Sequence, residues 1–286
     1  MTEVHPAGYS PTIKKRALSK KLVAARKEVG MTTTEVCKRL RWSPSKLNYI
    51  EKAKWIEPSS DSVADLCELY GIEGTERDGL IALAREARQR GWWTRYNDVF
   101  RSEFPGFEAA ASTILTFQNV FLPGLLQTAA YTEQAIRADG TDDPAEVKRY
   151  LSARLERQQI IQRAEDPCRL HAIIDENVIA RLGSSEKRTA QLQHLVQIAE
   201  LPNVELQVIR TSVGLYPGTG EPFTYLQFAD PSERDIVFLE TTVDARLLEE
   251  KIELQRYMVR FDTLRASALD TSATRAFLLA ELKDAG

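Results

Sequence analysis

TTTEVCKRLRWSPSKLNYIE, residues 32–51, decides the fold of the N-terminal part of the chain. Thr32 is placed to cap a helix, and Glu35, three residues later, completes a capping box. Ser43 is a second N-cap candidate, and Pro44 follows it in the first turn, where a helix tolerates proline. Few residues separate the two predicted helices, so they must cross at a steep angle. The stretch therefore predicts a helix-turn-helix.

The second of these helices has an apolar face and a polar face. Leu47 and Ile50 are three residues apart and face inward together. At about 100° per residue, the opposite face carries Ser45, Asn48, Tyr49 and Lys52, with Lys46 on its flank. The outer face thus presents hydrogen-bonding groups rather than carboxylates.

Charge is distributed unevenly along the chain, although the net charge is only −3. Residues 14–54 contain 13 Lys or Arg and 3 Asp or Glu, a charge of +10. Residues 96–286 contain 20 Lys or Arg and 29 Asp or Glu, a charge of −9. Basic residues also solvate short helices without any partner, but here they coincide with a helix-turn-helix. The coincidence favours a localised contact with DNA.

Length and composition indicate an ordinary globular protein of two domains. The chain has 286 residues, 43% of them hydrophobic, which is ample for packed cores. Its three cysteines (Cys37, Cys67 and Cys168) form no CxxC pair, and reduced thiols are expected. The N-terminus lacks the apolar core of a signal peptide, and no apolar run reaches membrane-spanning length. We expect a cytoplasmic protein.

The predicted fold class is α+β and multidomain. Residues 1–13 are interpreted as a flexible arm, and residues 14–90 as an all-α domain of five helices, the first from about Lys15 to Val29. Residues 91–286 form a mixed α/β domain with about four strands, at residues 168–175, 204–210, 223–228 and 235–243. Asp244 is predicted to cap a long helix that runs to about Ser267.

Two segments of the second domain are candidates for a partner or ligand surface. Aromatic residues cluster at Trp92, Trp93, Tyr96, Phe100, Phe104 and Phe107. They form either the wall of a ligand pocket or the packed seam where two domains meet, and we favour the seam. The loop GLYPGTG, residues 214–220, lacks the Lys-Ser/Thr of a phosphate-binding loop but could be a mobile lid or a partner-binding loop. The candidate contact residues are Trp92, Trp93, Tyr96 and Tyr216.

Catalytic chemistry has little support in this sequence. His171 and Asp175 share one face of a predicted strand, but they lie about 13 Å apart at 3.3 Å per residue. Asp175 and Glu176 are better suited to cap the helix that follows. The three histidines are dispersed, with no grouping typical of a zinc site. We predict no enzyme activity, no catalytic residue, no cofactor and no metal site.

Arg26, the GMTTTE start, the WSPSKLNYIE core, Pro58 and Leu66 together resemble the XRE-type (lambda-repressor-like) helix-turn-helix family over residues 15–72. The resemblance implies that Thr33 and Lys54 bind phosphate and that the first turns of the second helix read bases, through Ser45, Lys46, Asn48 and Tyr49. Family members often have Gln, Gly and Arg where this chain has Thr33, Arg41 and Tyr49.

Elementary chemistry supports these roles, since Asn can pair with adenine and Lys can reach guanine acceptors. We also predict phosphate contacts for Ser43, Lys52 and Lys20, because hydroxyls at helix starts and basic side chains suit phosphate oxygens. Two alternatives stay open. In the first, Tyr49 packs on a neighbouring helix instead of contacting a base. In the second, Lys46 contributes only to the electrostatic field.

The second domain resembles the C-terminal domain of WhiJ-like actinobacterial regulators, which are antitoxin-like proteins with an XRE-type domain at the N-terminus. The motifs that carry the resemblance are QNVFLPGLLQTAAYTEQAI, RLERQQII, AIIDENVIARLG, QLQHLVQIAELPNVELQVI and GLYPGTGEPFTYLQF, in this order over residues 91–270. The resemblance implies a small companion protein, encoded nearby, that modulates DNA binding.

The sequence thus predicts a DNA-binding transcriptional regulator that acts on double-stranded DNA as a homodimer. Two other interpretations remain. The chain is an antitoxin-like protein that neutralises a small partner and regulates its own gene, or it is a one-component sensor of a small molecule.

Overall fold

The computed structural model describes residues 10–55, 57–100, 102–182, 186–216, 219–240 and 245–284. The chain divides into two compact units, with the boundary between Arg95 and Tyr96. Within the described ranges, no helix combines the length and the apolar character needed to span a bilayer.

The first unit is helical. Its helices are α1 (Pro11–Glu28), α2 (Thr33–Leu40), α3 (Pro44–Glu51), α4 (Ser60–Tyr70) and α5 (Gly74–Ala87), and a 3-10 helix follows at Trp92–Tyr96. The predicted capping box is confirmed, since the Glu35 N–H donates to Thr32 Oγ1 at 3.2 Å and the Thr32 N–H donates to Glu35 Oε2 at 2.8 Å. Both halves of the helix-turn-helix therefore begin at the residues that the sequence predicts.

The start of α1 corrects the prediction of a helix from about Lys15. Ser10 caps the helix, because its hydroxyl oxygen accepts the Thr12 N–H at 3.2 Å, and Pro11 occupies the first turn. Residues 11–13, assigned to the flexible arm, are thus helical, while residues 1–9 of that arm lie outside the described residues.

The core of the first unit is apolar and draws on each of the five helices. Its most completely buried side chains include Leu18, Val36, Leu47, Val63 and Ala84, none of them more than 1% exposed. Because α2 and α3 each contribute two fully or nearly buried apolar side chains, their orientation is fixed by the core.

Four of the helices of this unit end in the same way, at a residue with left-handed backbone. The residues are Gly30, Arg41, Ala53 and Gly71, with φ of 68°, 54°, 55° and 72°. After α3, for example, the Lys54 N–H donates to the Tyr49 carbonyl at 2.8 Å and the Ala53 N–H donates to the Ile50 carbonyl at 3.2 Å. This is a Schellman motif, which usually has glycine at the left-handed position. Arg41 and Ala53 adopt that conformation at a steric cost.

The second unit is a mixed sheet with helices. Its helices are α6 (Phe104–Ala110), α7 (Ala129–Ala138), α8 (Pro144–Arg157), α9 (Gln159–Gln162), α10 (Glu176–Ala180), α11 (Glu186–Ile198), α12 (Lys251–Ser267) and α13 (Thr271–Asp284). Its strands are β1 (Thr113–Gln118), β2 (Arg169–Asp175), β3 (Val204–Ile209), β4 (Phe223–Gln227), β5 (Ile236–Glu240) and β6 (Ala245–Leu248).

The six strands lie in the order β3-β2-β1-β4-β5-β6. The pairs β1–β2 and β2–β3 are parallel, whereas β1–β4, β4–β5 and β5–β6 are antiparallel. The carboxyl ends of β1, β2 and β3 therefore meet at one edge of the sheet. One sheet face, which includes Phe117, Phe223 and Val237, packs with Phe261 and Leu264 of α12.

The sheet has six strands in the described residues, whereas the sequence predicts about four. The two strands that the prediction lacks are β1, in the middle of the sheet, and β6, at its edge. Residues 245–248 pair with β5, so the long helix begins at Lys251 and the prediction that Asp244 caps it is wrong. Asp244 itself lies outside the described residues. Residues of the ARLLEE type favour helix locally, and pairing with β5 overrides that preference.

We expect Ala53→Gly to raise the free energy of unfolding of the first unit by about 0.5–1 kcal/mol, because glycine adopts a left-handed backbone without strain. The matched change is Gly71→Ala, whose new Cβ meets no atom within 4 Å and should cost about 1 kcal/mol through backbone strain alone. All four tryptophans precede residue 96, so tryptophan fluorescence during denaturation reports this unit. If both substitutions changed the free energy of unfolding in the same direction, the assignment of a left-handed backbone to Ala53 and Gly71 would be contradicted.

Candidate nucleic-acid interface

The outer face of α3 is defined by its two buried residues, Leu47 and Ile50, which are 1% and 2% exposed. The four predicted base-reading residues are all exposed: Ser45, Lys46, Asn48 and Tyr49. Tyr49 is 53% exposed, so about half of this residue is available at the surface. This face presents a hydroxyl, an ammonium, an amide and a phenol to solvent.

Lys46 has a defined position at the N-terminal end of α3. Its ammonium lies 3.6 Å from the centre of the Trp42 ring, in the turn that joins α2 to α3. Such a cation–π contact contributes about 0.5–1 kcal/mol at an exposed site. The contact places the ammonium beside the turn, and whether Lys46 reads a base or contributes only to the electrostatic field stays a prediction. Trp42 was not singled out from the sequence, and it lies in the turn, outside both helices.

The predicted phosphate-binding residues are exposed as well: Lys20, Thr33, Ser43, Lys52 and Lys54. Thr33 is the first residue of α2, where backbone N–H groups lack intrahelical partners and the helix dipole favours an anion. Ser43 caps α3, with its Oγ accepting the Lys46 N–H at 3.2 Å, and its O–H can still donate. Lys52 and Lys54 flank the left-handed residue that ends α3.

The C-terminal end of α3 is fixed by an ion pair between Arg26 and Glu51. Arg26 Nε donates to Glu51 Oε1 at 2.5 Å, and Nη2 donates to Oε2 at 3.0 Å. Arg26 Nη1 also donates to the Met31 carbonyl at 2.8 Å, and both charged side chains are at most 15% exposed. The hydrogen bonds that Arg26 donates to Glu51 raise the pKa of Arg26, which keeps the guanidinium charged. In addition, Ser19 Oγ donates to the Ile50 carbonyl at 2.5 Å.

In the second unit, the described residues between β3 and β4 include Tyr216 and Gly220, and both form hydrogen bonds at the carboxyl edge of the sheet. The Tyr216 hydroxyl donates to Asp175 Oδ2 at 2.6 Å, at the end of β2. Asn119 Nδ2, just after β1, donates to the Gly220 carbonyl at 2.7 Å. Tyr216 is only 8% exposed and burial raises its pKa. The structure thus gives this predicted contact residue a packing role, while residues 217–218 of the loop lie outside the described residues.

The same sheet edge carries exposed apolar side chains on the segments that follow β1 and β3. They are Val120, Phe121, Val213 and Leu215, with 43%, 54%, 46% and 95% exposure. We call these four residues the apolar edge. Single exposed apolar side chains are common on protein surfaces, whereas a contiguous group of them marks an interaction site.

The predicted aromatic cluster is divided between the units. The rings of Trp92 and Trp93 meet edge to face, with centroids 6.0 Å apart, whereas Tyr96 lies under the Arg149 guanidinium at 5.3 Å. Phe104 stacks on Phe238 at 4.1 Å, inside the second unit. These contacts do not gather the aromatic rings around one pocket.

Comparison with protein families gives two matches. Residues 17–80 match a family described as a helix-turn-helix domain, and residues 101–280 match the family described as domain of unknown function DUF5753. The chain belongs to the DUF5753 family. No curated protein and no solved structure matches it. The helix-turn-helix match supports DNA binding by the first unit, and with it a role in transcription regulation.

Three buried glutamines shape the QNVFLPGLLQT segment of the DUF5753 region. Gln127 Nε2 donates to the Leu122 carbonyl at 2.8 Å, and Gln158 Nε2 donates to the Gln127 carbonyl, also at 2.8 Å. Gln191 accepts the Thr128 N–H at 2.7 Å and donates to the Leu126 carbonyl at 2.8 Å. Buried polar groups that are all hydrogen-bonded fix one conformation. The network therefore holds the segment that presents Val120 and Phe121.

The residues considered for catalysis in the DUF5753 region have structural partners. His171 Nε2 lies 2.7 Å from Gln207 Oε1. Asp175 accepts the Asn177 N–H at 2.8 Å and so caps α10, as the sequence predicted. Glu176 was also predicted to cap this helix, but it instead accepts the Thr211 N–H at 2.6 Å and pairs with Arg210 at 2.9 Å.

We expect Arg26→Lys to lower the free energy of unfolding of the first unit by about 1.5–3 kcal/mol, because a lysine cannot form the bidentate pair or reach the Met31 carbonyl as well. The control is Lys14→Gln, which breaks a more exposed pair with Glu86 and should change the same quantity by about 0.5 kcal/mol or less. Denaturation followed by tryptophan fluorescence measures both, and similar losses for the two variants would show that the Arg26 pair has no special role.

Proposed function

We propose that this protein is a sequence-specific transcriptional regulator of the XRE type, whose α3 reads bases in the major groove. The observation that carries the proposal is the exposed face of Ser45, Lys46, Asn48 and Tyr49, on a helix fixed at both ends. Side chains that read bases must be exposed on a rigid element, and this helix meets both conditions.

Non-specific attraction comes from the basic residues of the first unit. Residues 14–54 carry a charge of +10, from 13 Lys or Arg against 3 Asp or Glu. Contacts of Lys20, Lys52 and Lys54 with phosphates release counterions, so binding weakens steeply with salt. One helix-turn-helix reads only a few base pairs, and we propose a homodimer on two half-sites.

The DUF5753 region is proposed to be the regulatory part, with a small companion protein encoded nearby as its partner, as in WhiJ-like, antitoxin-like regulators. The apolar edge supports this, because it offers four exposed apolar side chains on segments held by hydrogen bonds. We propose a cytoplasmic location and no enzyme activity, since His171, Asp175 and Glu176 are engaged within the fold.

The same edge favours a second function, in which the chain is mainly an antitoxin-like protein that neutralises its partner and regulates its own gene. The two functions differ in the main effect of the complex, which is neutralisation of the partner in one and control of transcription in the other. Relief of toxicity on co-expression would favour the antitoxin, and a change in operator affinity would favour the regulator.

Asn48→Ala should cost about 1–3 kcal/mol of operator binding and relax the preference at one base position, because the Asn amide can pair with a base edge. Lys54→Gln should instead weaken binding to all sequences and reduce the salt slope by about one. Lys148→Gln, an exposed lysine of α8, is the charge-matched control and should change neither. If Asn48→Ala bound its operator as the unmodified chain does, α3 would not be the reading helix.

Leu215→Arg and Phe121→Arg should each weaken a co-purified complex with the companion protein by about tenfold or more, because each buries a charge in an apolar contact. Ile252→Arg, at an apolar residue of α12 that is 57% exposed, is the control. Competition between unmodified and variant chains for the companion measures the loss. Equal retention of all three variants would place the partner surface elsewhere.

A further inference from the structure

A cleft of about 380 Å³ lies between β6 and α12 in the second unit. Its lining combines charged and apolar side chains: Glu221, Leu239, Arg246, Leu248, Glu253, Arg256, Tyr257 and Arg260. The α12 residues among these recur at i, i+3, i+4 and i+7 and thus lie on one helix face.

Strand register explains how an arginine enters this cleft. Leu239 pairs with Arg246, and Val237 pairs with Leu248. Because directly opposed residues share a sheet face, Arg246 lies on the face that packs with α12. Leu239 and Leu248 are 6% and 9% exposed and belong to the core there. Arg246 therefore lies on the apolar face of the sheet, in the edge strand β6.

Part of the cleft is organised by hydrogen bonds. Arg260 Nη2 donates to the Glu221 carbonyl at 3.0 Å, and the Tyr257 hydroxyl donates to Glu221 Oε1 at 2.8 Å. The Arg260 guanidinium also lies 5.4 Å from the centre of the Phe223 ring. Glu221, Tyr257 and Arg260 thus form a fixed wall.

The other two arginines supply charge to the cleft. Neither Arg246 nor Arg256 forms an ion pair with another described residue, and both are exposed. With Arg260 they give three positive charges against Glu221 and Glu253, in a region of residues 96–286 whose charge is −9. The lining therefore has a net charge of +1.

We propose that the cleft binds a small organic anion, whose carboxylate or phosphate lies between Arg246 and Arg256 and whose apolar part rests on Leu239 and Leu248. Guanidinium groups are the preferred partners of both oxyanions because they can donate two parallel hydrogen bonds. The site makes the DUF5753 region a receptor for a small molecule. If the chain is the transcriptional regulator that we propose, this anion is its effector. The anion site itself does not depend on DNA binding.

Calorimetric titration of the full-length chain, without DNA, tests the site. The probes are phenyl phosphate, benzoate, inorganic phosphate and benzyl alcohol. We expect phenyl phosphate or benzoate to bind at one site per chain and more tightly than either inorganic phosphate or benzyl alcohol, because only the former engage both parts of the cleft. Preference between phenyl phosphate and benzoate distinguishes the two oxyanions.

Arg246→Gln and Arg256→Gln should each weaken this binding about tenfold or more, since each removes a charge-assisted hydrogen bond. Arg265→Gln, on the same helix but paired with Asp262, removes the same charge outside the cleft and should leave binding unchanged. Arg246 lies on an edge strand, where a charge also discourages edge-to-edge pairing, so Arg256→Gln provides the independent variant. No binding of any probe, or equal binding by Arg256→Gln and Arg265→Gln, would overturn the proposal.

Discussion

The bidentate ion pair between Arg26 and Glu51 secures a helix that is too short to be stable by itself. Helix α3 has eight residues, whereas isolated helices shorter than about 12–15 residues are marginal in water. Its stability must therefore come from its surroundings. Ser43 caps one end, Leu47 and Ile50 bury the inner face, and the Arg26–Glu51 pair holds the other end. The outer face is then free to carry polar side chains that contribute nothing to the core.

In the second unit, the corresponding constraint is the parallel arrangement of β1, β2 and β3. It brings the segments after β1 and β3 to one sheet edge, where the Tyr216–Asp175 and Asn119–Gly220 hydrogen bonds hold them. The cleft beside β6 depends instead on antiparallel pairing with β5, and its Glu221 directly follows Gly220. The proposed partner surface and the proposed small-molecule site thus use different strands and segments of one sheet.

Local chemistry explains which features the sequence predicts well. The starts of α2 and α3 follow from Thr32, Glu35 and Ser43, because a capping side chain acts within three residues of its own position. Exposure of the predicted contact residues on α3 follows from the helical period and two apolar residues. The roles of these residues in DNA binding stay predictions.

The features that the sequence did not reveal depend on distant contacts. Strand β1 follows an aromatic stretch, and its identity rests on pairing with β2 and β4, more than 50 residues away. Strand β6 has helix-forming residues, so only its pairing with β5 defines it. Nothing in the sequence distinguishes Arg246 from the other arginines. Only the strand register, which pairs it with Leu239, shows that it lies on the apolar face of the sheet.

The most direct test of the central claim is selection of DNA duplexes from a random pool by the full-length protein, followed by salt titration on the selected site. We expect an enriched sequence with two related half-sites about one helical turn apart, or a multiple of it, and affinity that falls steeply with salt. Recovery of no sequence above the background of the pool, with the first unit folded, would contradict the claim that α3 reads DNA.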